Sequence, residues 1–209
     1  MLDASQSAGH TEINMKKDNI SLLCAPAHKG LFGCMGLGFL ISDGSCKLKT
    51  LIEGGSGYMS AEPYMPEDLP ERLEAGTLPV PAIAALREGL KAVRKRDLYM
   101  IEEHERRLYE MMTDRLSSLP FVKQYMTEYR GPCLLFNVIG ASSAAIDEEL
   151  SRRNVCIRSG FHCAALAHKA LGTGDFGAVR CSFGMYTTEK DIDLFVQALK
   201  EAVASINSK

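Results

Sequence analysis

Between Ile20 and Ile41 the chain passes from an apolar run to a glycine cluster and back to an apolar run, and that change limits the folds open to it. Ile20 to Ala25 is short for a helix and reads as a buried strand ending at Pro26. Gly30, Gly33, Gly36 and Gly38 follow before a second strand-like run, Phe39 to Ile41. Glycines this close together favour neither helix nor strand interior, so the segment is a turn, and Lys29 sits in it.

Downstream, Glu53 to Thr77 is rich in Gly, Pro and Glu without periodicity and reads as a long loop of the kind that carries binding residues. After Pro81 the apolar spacing becomes Ile83, Leu86, Leu90, Val93, one face of a helix. A second helix is expected over Asp97 to Leu116, the pair bridging two domains. Strands are expected over Phe121 to Thr127, Cys133 to Ile139, Val155 to Arg158 and Val179 to Phe183, with a helix from Ser143 to Arg153. Thr188 and Asp191 form the pattern of a capping box before the stripe Ile192, Phe195, Val196, Leu199, Val203, Ile206, which marks a terminal helix with one core-facing side. These elements predict an N-terminal α/β piece, residues 1–95, and a C-terminal α+β piece, residues 96–209.

A formal charge of −2 over 209 residues gives no cationic excess for a phosphate backbone, so nucleic acid is not the expected partner. No apolar run reaches the roughly 18 residues of a membrane span, so no membrane partner is expected. Met1 to Gln6 has neither a basic n-region nor an apolar h-region, which makes the cytoplasm the expected location. The seven cysteines include no Cys-x-x-Cys pair and fit no zinc spacing, so no metal is expected and most should be buried apolar residues. Gly33-Cys34-Met35-Gly36-Leu37-Gly38 misses the Gly-x-Gly-x-x-Gly order of a dinucleotide loop.

A lysine in such a turn is ordinarily a solvated residue. Here Asp3 lies 26 residues before Lys29, a distance at which adjacent parallel strands bring both to one crevice. A lysine amine and a carboxylate are the two groups that pyridoxal 5′-phosphate (PLP) chemistry asks of a protein: one to form a Schiff base, the other to keep the pyridine nitrogen protonated.

Four segments then stand in order: Asp3-Ala4-Ser5-Gln6, Ala27-His28-Lys29-Gly30-Leu31-Phe32-Gly33, Arg72-Leu73-Glu74-Ala75-Gly76-Thr77 and Arg158-Ser159-Gly160-Phe161-His162-Cys163. Together they resemble the class V aminotransferase family, and within it the Suf-type cysteine desulfurases. The resemblance implies an α/β chain of the PLP-dependent transferase fold type I: a partial large domain followed by a small C-terminal α+β domain. By the same resemblance Lys29 is the Schiff-base lysine, Asp3 the pyridine-nitrogen partner, Gln6 a hydrogen-bond partner of the phenolic oxygen, and His28 a phosphate neighbour. Thr77 resembles a threonine that reaches the cofactor phosphate of a second subunit, which implies a homodimer. Arg180 matches the arginine that clamps the substrate carboxylate, with Arg158 and His162 on the substrate side favouring a thiolate at Cys163. Cys163 is then the nucleophile that takes sulfur from L-cysteine and passes it to an acceptor protein.

Pro26 and Ala27 replace the hydroxyl residue and glycine usual before the family's histidine, and Cys34 stands where proline is common. The resemblance begins at the strand carrying Asp3. In the family, the portion before that strand holds the aromatic residue that stacks on the ring and a phosphate-cradling loop. A selenocysteine lyase, an aminotransferase, an epimerase and a non-catalytic remnant remain open alternatives.

Overall fold

A computed structural model describes residues 1–59, 61–126, 128 and 131–208. The chain divides into two compact units, Met1–Leu98 and Tyr99–Lys209. The division falls three residues after the boundary expected at residue 95.

The first unit holds a three-stranded sheet of β1 (Leu2–Asp3), β2 (Leu22–Pro26) and β3 (Gly38–Ser42). β1 runs parallel to β2 with Asp3 opposite Cys24, and β2 pairs antiparallel with β3. Ala4, Leu23 and Ala25 form its small buried core. Among its described residues the long loop is irregular apart from a 3-10 turn at Glu71–Leu73. Helix α1 (Val80–Arg96) tolerates Pro81 because the first-turn N–H has no intrahelical acceptor. Its buried residues are Gly89 and Val93, while Ile83 and Leu90 of the expected apolar face stay exposed. The reason is a close approach: a Cβ at Gly89 would stand 2.1 Å from the Leu31 carbonyl oxygen, so α1 meets the turn after Lys29 through bare backbone.

The second unit is a four-stranded antiparallel sheet in the order β4 (Val122–Tyr125), β5 (Cys133–Val138), β7 (Ala178–Ser182), β6 (Arg158–Gly160). Thr127, at the end of the expected first strand of this unit, lies outside the described residues. Leu134, Phe136, Val138, Val179 and Cys181 turn one face of the sheet into the core. Against it lie Leu108, Met112 and Leu116 of α2 (Leu98–Ser117), Ile146 and Leu150 of α3 (Ser143–Ser151), and the stripe of α5 (Glu189–Asn207). The α5 capping box is present: Thr188 Oγ1 accepts from the Asp191 amide, and Asp191 Oδ2 accepts from the Thr188 amide at 2.7 Å.

Three expectations need correction. The strand expected over Val155 to Arg158 is β6, Arg158–Gly160; Val155 and Ile157 alternate because they pack on the core, not because they pair. Helix α3 stops at Ser151, two residues early, since the chain turns at Asn154 in the left-handed region (φ 59). Cys181 alone of the seven cysteines is buried; Cys34, Cys133, Cys156 and Cys163 are exposed. Helix α4 (Ala165–Ala170) is too short to leave a period in the sequence.

Candidate functional site

The residues expected to carry chemistry are divided between the two units, with Asp3, His28 and Lys29 at one sheet edge of the first and Arg158, Arg180, His162 and Cys163 in the second. In the first, β1 and β2 are parallel, so their C-terminal ends share one edge of the sheet, where open α/β sheets bind ligands. Asp3 ends β1 there, and the turn carrying His28 and Lys29 leaves β2 there. That turn is closed by the Gly33 amide donating to the Ala27 carbonyl at 2.7 Å and the Phe32 amide donating to the Lys29 carbonyl at 3.0 Å. The Ser5 hydroxyl and amide both donate to Asp3 Oδ1 and hold its carboxyl below the usual carboxylate range; the charge of Lys29 adds to the lowering. An ionised acid and a lysine therefore lie within electrostatic reach of each other. Asp3, Gln6, His28, Lys29 and Thr77 are all exposed.

The second set lies on the sheet face of the second unit opposite its helices. Arg158 of β6 is the register partner of Arg180 of β7, so two guanidinium side chains occupy opposed positions on one face. Like charges so placed repel. Arg180 Nε is in addition buried without a hydrogen-bond partner among the described residues. An orphaned donor beside a second cation is a place where an anion lowers the energy, and a carboxylate does so with two-point geometry.

β6 leads into a turn in which His162 (φ 53) and Cys163 (φ 59) are both left-handed, a conformation that costs a residue with a side chain roughly 1 kcal/mol or more. The turn is closed by the Ala164 amide donating to the Phe161 carbonyl at 2.8 Å. Cys163 is exposed, whereas burial pushes the Cys181 thiol up to about 12, which removes it as a nucleophile near neutral pH. His162 bonds on both ring nitrogens, to the Arg158 carbonyl at 3.1 Å and to His168 Nε2 at 3.0 Å. Burial pushes its pKa below the ordinary 6.5, and the charges of Arg180 and Arg158 push the same way, so at neutral pH His162 is no cation for a Cys163 thiolate. The unfolded chain takes up this proton near pH 6.5 and the folded one only at lower pH. The corresponding stability is therefore full above about 6.5 and declines as pH falls toward the folded value. Urea midpoints followed from about pH 7.5 to about 5 should show this decline, with a flatter limb in His162→Gln.

The class-V aminotransferase family model matches residues 1–195. The chain belongs to that family. Among class-V aminotransferase relatives, a probable cysteine desulfurase of Methanothermobacter thermautotrophicus is 30% identical over 96% of this chain and 52% of that protein. A probable cysteine desulfurase of Pyrococcus abyssi is 30% identical over 100% of this chain and 53% of its own length. The apo cysteine desulfurase of Thermococcus onnurineus superposes with a TM-score of 0.81 at 30% identity, covering 97% of this chain and 52% of that one. The Escherichia coli cysteine desulfurase CsdA, in its S-sulfonic acid form, gives 0.87 at 25% identity, with 98% and 51% covered. The chain thus spans about half the length of the relatives it matches, and its fold is a mixed α/β portion of the PLP fold type I, a family whose cofactor is PLP. Asp3 and Lys29 fit that group: an ionised acid and an amine stand at the ends of adjacent parallel strands.

Sequence reasoning missed His168 and Thr173. A lone histidine on an unrecognised helix carries no signal, although Gly172 and Gly174 around Thr173 mark a tight turn able to fold back on it.

Proposed function

We propose that this chain carries the lysine and thiol halves of a PLP-dependent cysteine desulfurase, which converts L-cysteine to L-alanine and leaves sulfur on Cys163. The observation that carries the reading is the opposed Arg158–Arg180 pair with its orphaned Nε, in the same unit as an exposed thiol on a left-handed turn. PLP, when bound, supplies an electron sink for the substrate carbon. The Asp3 carboxylate keeps a proton on the pyridine nitrogen, and His28 serves its phosphate and Gln6 its phenolic oxygen. The Lys29 amine moves the Cα proton. Arg180 and Arg158 take the substrate carboxylate, Arg180 through its free Nε–H. Cys163 Sγ, as the thiolate, forms an S–S bond to the substrate sulfur as the Cβ–S bond breaks; the carbon takes up a proton, alanine leaves, and the persulfide passes to an acceptor protein. His162 enters as a neutral ring that orients this turn.

The same reading makes the protein a homodimer in which Thr77, exposed on the first unit, serves the cofactor phosphate of the other subunit. Seven unpaired thiols suit a reducing cytoplasm. No helix among the described residues is long and apolar enough to cross a membrane.

The test is reductive trapping. The chain is incubated with PLP, reduced with borohydride and digested, and the expected product is a pyridoxyl group on the peptide containing Lys29. Equal trapping in Lys29→Ala, or none in the parent, overturns the assignment. With L-cysteine added, Cys163→Ser is expected to keep the trapping and lose sulfide release.

A further inference from the structure

His168 is 2% exposed, and no step above uses it. Buried imidazoles are kept where both nitrogens find partners, and here a backbone carbonyl at one end fixes the direction of the bonds nearest the turn. The Arg158 carbonyl only accepts, so His162 Nε2 carries a hydrogen and donates to it at 3.1 Å. Neutral His162 then has a lone pair on Nδ1, and the group facing it at 3.0 Å is His168 Nε2, which must donate. On its other side His168 Nδ1 is hydrogen-bonded to Thr173 Oγ1 at 2.7 Å. The Thr173 hydroxyl also donates to the His168 carbonyl at 3.2 Å. Thr173 is itself buried, and its amide donates to the His168 carbonyl at 2.9 Å. The Phe161 ring packs edge-on against His168, with centroids 5.6 Å apart.

A hydrogen-bonded chain therefore runs from Thr173 through His168 and His162 to the backbone of Arg158, spanning the turn that carries Cys163. Hydrogen bonds linked in a chain polarise one another. Leucine of similar size would fill the space beside Phe161 but would supply no hydrogen to His162 Nδ1. Without that hydrogen the His162 ring has one anchor instead of two, and the two consecutive left-handed residues lose one of the bonds that oppose their relaxation.

We propose that His168 is a positioning residue that acts through His162: its Nε2–H fixes His162 as the Nε2–H tautomer and so holds the left-handed His162–Cys163 turn. The importance of that turn for sulfur transfer rests on the function proposed above; the tautomer and the turn do not.

The experiment uses the whole chain, labelled with 15N at histidine for tautomer assignment and uniformly for amide exchange, and needs neither PLP nor turnover. Two-bond 1H–15N spectra at neutral pH are expected to show His162 and His168 both as Nε2–H tautomers. A parent His162 found as the Nδ1–H tautomer or doubly protonated overturns the proposal without any variant. In His168→Leu, His162 is expected to populate both tautomers, and exchange of the Ala164 amide that closes the turn to quicken about three- to tenfold, the worth of one hydrogen bond. His168→Gln, whose amide can donate to His162 Nδ1, is expected to restore both readouts. A core role based on packing alone predicts the reverse order, with Leu harmless and Gln disruptive, and that result overturns the proposal. So does a His162 tautomer unchanged in His168→Leu. Failed trapping at Lys29 would overturn the desulfurase reading and leave these measurements as they are.

Discussion

Phe136→Ala is expected to cost the chain about 3–5 kcal/mol, a hundredfold or greater fall in the folded-to-unfolded ratio. Phe136 is fully buried at the centre of the second unit, on β5 between Gln124 of β4 and Val179 of β7. Its ring meets Phe195 of α5 edge-to-face, centroids 6.0 Å apart and planes at 87°, so truncation removes a large buried area and an aromatic pair together. The surrounding core comes from three helices and the sheet, each held by other contacts, and collapses only in part into the space left. Urea unfolding followed by far-UV circular dichroism, with amide exchange along β5, measures the loss. A cost below about 1 kcal/mol would show that α5 does not bear on the sheet at this point.

Gly9→Ala is expected to destabilise the chain by about 2–5 kcal/mol and to lower trapping at Lys29. Two penalties add. Gly9 has φ 87, where a side chain costs roughly 1–2 kcal/mol. A Cβ there would also stand 2.2 Å from the Gly30 carbonyl oxygen, a backbone atom that cannot step aside alone, and overpacking costs about 1–3 kcal/mol. The turn after β1 and the Lys29 turn approach each other through Gly9 and Gly30, so the substitution separates Asp3 from Lys29 as well as straining the chain. Gly140→Ala is the comparison, since it shares a positive φ (82) but has open space for a Cβ. Equal losses in the two variants would mean that the close approach contributes nothing.

Local signals in the sequence carry much of this fold. The turn at Lys29, α1, α2, β5, β7 and the capping box of α5 follow from glycine clusters, helical spacing and a Thr–Asp pair, all of which act over a few residues. Val155 and Ile157 show where such signals mislead: alternation records which side chains face the core and says nothing about whether the backbone has a partner. The cysteines show it too, because a small apolar side chain is stable in either environment and burial depends on what the fold places over it.

The amino-acid order by itself determined family membership and the identities of Asp3, His28, Lys29, Cys163 and Arg180 as the groups to consider, because motif identity and spacing are properties of the chain. Tertiary structure alone decided that Arg158 stands opposite Arg180, that Gly9 and Gly89 let backbone meet backbone, and that His168 and Thr173 lie behind His162. Each of these depends on strand register or on a contact between separate elements, and those are set by the summed packing of the whole unit, which no window of sequence contains.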